Sequence, residues 1–168
     1  MGLFNMKTAI SLVLFILILN SCRGSRPEPE IYLIPTSYRG KVNVIFNQAK
    51  GQEIMYEGDK RVYRIPENGI LLTKAKPEYG FIRHEYHFVD SSGKRTLIKI
   101  LFDNHENTEE IGIYRDGTVG IYGNSDDIQN LKYQEFYVTD KKSLDKYFSI
   151  QYDTNFLKAV QQLTGIDF

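Results

Sequence analysis

Tryptophan is absent from the 168 residues, cysteine occurs once and histidine three times. A single cysteine excludes an internal disulfide, so the fold must rest on its core alone. Charge of one sign is also lacking: 21 Lys and Arg stand against 21 Asp and Glu. Phosphate backbones need a field of Lys and Arg, and no basic cluster occurs here, which argues against nucleic acid as a partner. No Ser lies in a Gly-x-Ser-x-Gly elbow, so nucleophilic catalysis has no evident starting point. Without Trp, the strongest platform for stacking on sugar rings is missing as well.

Among what is present, one apolar run stands out, Ile10 to Ile18, preceded by the positive Lys7 and followed by Asn20-Ser21-Cys22. This is the layout of a secretory signal, too short and too closely followed by proline and charge to span comfortably. Leu19-Asn20-Ser21-Cys22 resembles the lipobox of bacterial lipoproteins. The resemblance implies cleavage before Cys22, two or three acyl chains on it, and retention in the bacterial cell envelope on a periplasmic or outer membrane face. Two long chains anchor stably where one is marginal. The alternative is an uncleaved N-terminal membrane helix with an incidental cysteine.

Arg23 to Glu30 contains no apolar residue beyond proline and reads as a flexible tether over residues 22–30. In polyproline geometry, about 3.1 Å per residue, it would reach roughly 25 Å and lift the domain off the headgroups. Residues 31–168 suit a single domain. Twelve Tyr and many Ile and Val lean toward sheet.

Short alternating segments follow. Val42, Val44 and Phe46 alternate with polar neighbours, as do Arg61 to Ile65 and Phe81 to Val89, the period of a half-buried strand. In the last of these, Ile82, His84, Tyr86 and Phe88 share one face. Asn68-Gly69 marks a turn, and Asp90 to Gly93 a hairpin connection to Thr96, Ile98, Ile100 and Phe102. Asp116-Gly117 predicts a type I′ hairpin that pairs Tyr114 with Val119. Gly112, Gly120 and Gly123 leave room for large neighbours, and Tyr133 to Val138 reads as a final strand. The pattern then turns helical: Asp140 can cap a short helix through Leu144 and Tyr147. Asp153 or Thr154 can cap a second, with Phe156, Leu157, Val160 and Leu163 on one face and Gly165 as its stop. A helix of this size covers a sheet face or edge. The expected fold is mainly β, an immunoglobulin-like or transthyretin-like antiparallel β-sandwich with one or two C-terminal α-helices.

Tyr32-Leu33-Ile34-Pro35, Tyr38-Arg39-Gly40-Lys41-Val42, the run from Arg61 to Leu71, and Pro77-Glu78-Tyr79-Gly80 together resemble a family of uncharacterised bacterial lipoprotein domains. The resemblance covers about Ile31 to Ile100. It implies location and carries no chemistry.

His84-Glu85-Tyr86-His87 invites a metal reading, but on a strand the two imidazoles point to opposite faces. The acidic loops Asp103 to Glu110 and Asn124 to Asp127 follow no known calcium spacing. No catalytic residue, metal ligand set or cofactor is therefore assigned. Tyr79, Tyr86, Tyr114 and Tyr122 form the candidate binding surface, since tyrosine joins an apolar body to a polar tip. The expected role is a non-enzymatic binding or structural module, held to the membrane through Cys22, with an envelope protein or glycan as partner. The competing expectation is an envelope hydrolase or metal-dependent enzyme using loop carboxylates with His84, His87 and His105.

Overall fold

A computed structural model describes residues 27–102, 104, 108–123 and 130–167. Cys22, His105 and the acidic stretch Asn124 to Asp127 lie outside the described residues, as does the apolar run before Cys22.

Among the described residues nine strands form two sheets. In chain order they are β1 (Glu30–Pro35), β2 (Gly40–Ile45), β3 (Met55–Glu57), β4 (Lys60–Arg64), β5 (Ile70–Leu72), β6 (His84–Val89), β7 (Arg95–Ile98), β8 (Gly112–Tyr122) and β9 (Leu131–Thr139). Helices α1 (Lys141–Tyr147) and α2 (Ile150–Thr164) follow. The first sheet has the order β3-β4-β1-β6-β7 and the second β5-β2-β9-β8. The two face each other as a sandwich with a shared core of Tyr32, Ile34, Val42, Val44, Tyr63, Tyr86 and Phe136. Alternation in β2 sends Val42 and Val44 into that core, while Ile45 faces the other way.

The helices cover that other face. Ile45, Ile70, Tyr122 and Leu131 pack against Phe156 and Val160 of α2, whose spacing of four sets both on one stripe. Leu163, expected on the same stripe, is instead 46% exposed. Asp140 caps α1 by accepting from Ser143 N, as expected. The cap of α2 is Ser149, accepting from Tyr152 N, rather than Asp153 or Thr154, so the helix begins a turn earlier. Gly165 ends it in the left-handed conformation, φ 70°.

Three expectations are corrected. The sandwich is not purely antiparallel: β1 runs parallel to both β4 and β6, and β2 parallel to β5. Alternation specifies faces and leaves the neighbouring strand and its direction open. Asp116-Gly117 is not a hairpin turn. It lies in a bulge within β8, where the register steps from Tyr114↔Tyr137 to Thr118↔Glu135, leaving two extra residues on β8. Arg115 at φ 57° and Gly117 at φ 74° supply positive φ, which a bulge uses as well as a turn does. The chain keeps its direction because β9 offers an unbroken partner on both sides.

The packed chain also begins earlier than expected, inside the stretch read as a tether. Glu30 is already in β1 and 1% exposed, and Glu28 pairs with Arg61. Among the described residues no helix is long and apolar enough to cross a membrane.

Candidate functional site

Parallel pairing sets like positions side by side. Glu30 lies between Arg61 of β4 and His84 of β6, and two residues on, Tyr32 lies between Tyr63 and Tyr86. Period two turns all six toward the other sheet, which yields a charged rung at the mouth of the sandwich above an aromatic rung in its core. The aromatic rung is tight: the Tyr32 ring centroid is 5.2 Å from that of Tyr63 and 4.8 Å from that of Tyr86. Phe136, from the second sheet, meets Tyr32 and Tyr86 edge-on.

The two rungs are hydrogen-bonded to each other. Tyr32 OH donates to Glu30 Oε2 at 2.5 Å and Tyr63 OH to Glu30 Oε1 at 3.3 Å. Arg61 holds Glu28 at 2.6 Å and Glu78 at 2.8 Å. The β8 bulge brings Asp116 from the opposite sheet to His84 Nδ1 at 2.6 Å, and Tyr86 OH donates to the same carboxylate oxygen at 2.5 Å. His84 Nε2 faces Glu30 Oε2 at 3.4 Å.

These contacts set the protonation states. Burial pushes the His84 imidazole down, but Asp116 and Glu30 outweigh it and hold it up at about 9. Burial pushes Asp116 up, and its bonds from His84 and Tyr86 outweigh that and hold it below the usual carboxylate range. Burial, followed by the neighbouring carboxylates, pushes the Tyr32 and Tyr86 hydroxyls well up, so both stay neutral donors. At neutral pH His84 is therefore a cation, hydrogen-bonded through Nδ1 to Asp116 and facing Glu30 through Nε2, which among the described residues makes no hydrogen bond. It has no free lone pair with which to act as a base.

A cavity of about 210 Å³ opens beside this cluster, with His84, Asp116 and Gln134 on its inner side and Tyr79, Phe81 and Val119 toward its rim. Gln134 is 4% exposed, and among the described residues its Nε2 has no hydrogen-bond partner. The arrangement can present fixed donors and acceptors to a small guest.

The residues expected from sequence separate. Tyr79 is 62% exposed at the rim, whereas Tyr86, Tyr114 and Tyr122 are 1%, 0% and 8% exposed, so the expected tyrosine surface does not form. Tyr86 packs between the sheets; Tyr114 packs with Leu101 and Tyr137; Tyr122 stacks on Tyr133 under α2. Each lies on a strand face covered by another layer, a fact residue type does not encode. His84 and His87 do point to opposite faces, and His87 sits 3.9 Å from Glu85, itself paired with Lys60. Among the described residues no group of three His, Cys, Asp or Glu is placed to hold a metal ion. Glu109 and Glu110 of the first acidic loop pair with Lys142 and Lys99. Sequence reasoning passed over Glu30, Arg61 and Asp116. Glu30 and Arg61 stand at the starts of β1 and β4, and Asp116 lies in the Asp-Gly pair that reads locally as a turn, so none of the three carries a local sign of the cluster.

A search of curated proteins finds no match. Among solved structures, a crystal structure of a Bacillus anthracis protein described as a "Putative Lipoprotein" is similar in fold. Its TM-score is 0.57 at 17% identity, with 83% of this chain and 99% of that one covered. A family described as a family of unknown function (DUF6843) matches residues 26–148, most of the chain. With nine strands, a sandwich and a family match spanning the whole β-rich part, the chain belongs to the DUF6843 family.

Proposed function

We propose that this protein is a lipid-anchored cell-envelope protein, acylated at Cys22, whose domain is a non-catalytic binding module. The observation that carries the reading is where the chain enters the fold. Pro29 O accepts from Arg61 N at 2.8 Å and Glu28 is clamped by Arg61, seven and six residues after Cys22. A cysteine that close to the first packed residues, after an apolar run, suits an anchor whose domain starts at once. The lipoprotein description of the Bacillus anthracis protein supports the same reading.

Binding rather than turnover is supported by His84, a cation held through Nδ1 by Asp116. Its partner is an envelope protein or glycan.

The test is metabolic labelling with palmitate followed by crosslinking in native membranes. Label should enter the wild-type chain and not Cys22→Ala, and a stoichiometric partner should be lost with the anchor. An unlabelled wild-type chain would refute acylation. A labelled chain that crosslinks to nothing would remove the protein-partner role.

A further inference from the structure

Because β1, β4 and β6 run parallel, the segments leading into them gather at one end of the first sheet. These are Pro27 to Pro29, Gly58-Asp59 and Phe81 to Arg83. Phe81 is 94% exposed, the highest exposure among the large apolar side chains there, and Tyr79 beside it is 62% exposed. Phe81 forms a ridge between two hollows, one shared with Pro27, Pro29 and Tyr56 and the other with Tyr79 and Val119, itself 52% exposed. Pro27 crosses this ridge: its Cγ lies 3.6 Å from where a Cβ on Gly80 would be. The entering chain and the exposed aromatics are thus at one place.

Five residue steps separate Pro27 from Cys22. At no more than about 3.6 Å per residue they reach at most about 18 Å, the length of a few headgroups rather than of a stalk. An acylated Cys22 would keep this end, rather than the opposite one, within reach of the membrane. The ridge itself is aromatic, and its surroundings hold cations as well as the carboxylates of Glu28, Asp59 and Glu78, of which Glu28 and Glu78 are taken up by Arg61. Exposed Arg83 adjoins the ridge, and Lys132 Nζ lies 6.0 Å from the Tyr79 ring centroid. Tyrosine and phenylalanine with flanking Lys and Arg is the composition favoured at the headgroup boundary, where rings bury their bodies and cations meet lipid phosphates.

We propose that the Tyr79–Phe81 turn is a bilayer-docking edge, which rests the domain on the leaflet that carries the acyl chains of Cys22. The inference depends on the anchoring proposed above. It makes the domain lie on the membrane by its charged mouth instead of floating above it.

The chain's single cysteine makes a direct test available. Full-length protein is extracted from its membranes and reconstituted into vesicles of phosphatidylethanolamine and phosphatidylglycerol. An environment-sensitive fluorescent maleimide is attached at Asp59→Cys, at the docking end, or at Ser92→Cys, in the turn at the far end of β6. Both sites are exposed, and Phe81 is untouched in each. On the vesicles the probe at 59 should blue-shift and be quenched by lipids spin-labelled near the headgroup, and that at 92 should do neither. Phe81→Ser should abolish the quenching at 59. Equal emission at both sites, with the protein still on the vesicles, would overturn docking and leave the anchor standing. A maleimide adduct on Cys22 in the extracted protein would mean a free thiol, and would overturn both.

Discussion

His84 Nδ1 and Asp116 Oδ1 stand 2.6 Å apart, one residue from each sheet, and together they tie the mouth of the sandwich shut. Asp116 reaches across only because β8 bulges, so a local irregularity in one sheet supplies the counter-charge for the other.

That pair makes stability depend on pH in a stated direction. The imidazole is raised from 6.5 to about 9 in the fold, so its contribution is complete below pH 6.5 and is lost as pH rises through about 9. Asp116 is held below its ordinary 3.8, so its contribution is complete above that value and is lost on acidification through its lower folded value. The urea midpoint should fall between pH 6.5 and 9, and His84→Gln should flatten the curve in that window. A wild-type midpoint constant across the window would contradict the assignment.

Lys41, with a side chain 7% exposed, joins Glu135 at 2.9 Å and Asp153 of α2 at 2.8 Å. Burial pushes its ammonium down, but bonds to Asp153 and Glu135 prevail and hold it above its ordinary value. Lys41→Ala leaves Glu135 buried without its cation and should cost about 3–5 kcal/mol. Because paired apolar replacements remove both charges, Lys41→Met with Glu135→Leu should recover much of that loss in chemical denaturation. A double variant as unstable as the single one would exclude charge as the cause.

At Gly120 a Cβ would fall on the Tyr133 ring, which stacks on Tyr122 with centroids 4.1 Å apart. Gly120→Ala should therefore destabilise by about 1–3 kcal/mol through overpacking. Gly123→Ala provides no such clash, its nearest neighbour standing 3.7 Å away, although its φ of 92° adds backbone strain. The Gly120 effect should be relieved by Tyr133→Ala and the Gly123 effect should not, as read in thermal melts.

Phe156 is 7% exposed between α2 and the second sheet, with Lys41 Nζ 5.2 Å from its ring centroid. Phe156→Ala should cost about 3–5 kcal/mol in a denaturant titration. A loss under 1 kcal/mol, on the order expected of a surface site, would show that α2 does not hold the sheet.

Much of the fold was legible one segment at a time. Alternation in β2, β4, β6 and β9, the Asn68-Gly69 turn at φ 75°, the Asp140 cap and the Gly165 stop are local, and local energetics decides them. The charged rung was not legible in the same way. Glu30, Arg61 and His84 are up to 54 positions apart, and their meeting depends on strand direction and register, which no segment carries alone. The tyrosines show the same limit: Tyr79 and Tyr86 look alike in sequence, yet one is at the rim and the other is sealed between sheets.

By itself, then, the sequence determined a β-rich domain closed by helices and preceded by an apolar run shortly before Cys22, because periodicity and capping act within a few residues. Tertiary structure alone decided that β1 runs parallel to β4 and β6. That choice places Glu30 against His84, turns Asp116-Gly117 from a turn into a bridge between sheets, and collects Pro27 and Phe81 at one end. The physical reason is that pairing is won by the joint burial of two whole sheet faces, a free energy that belongs to no single stretch of chain.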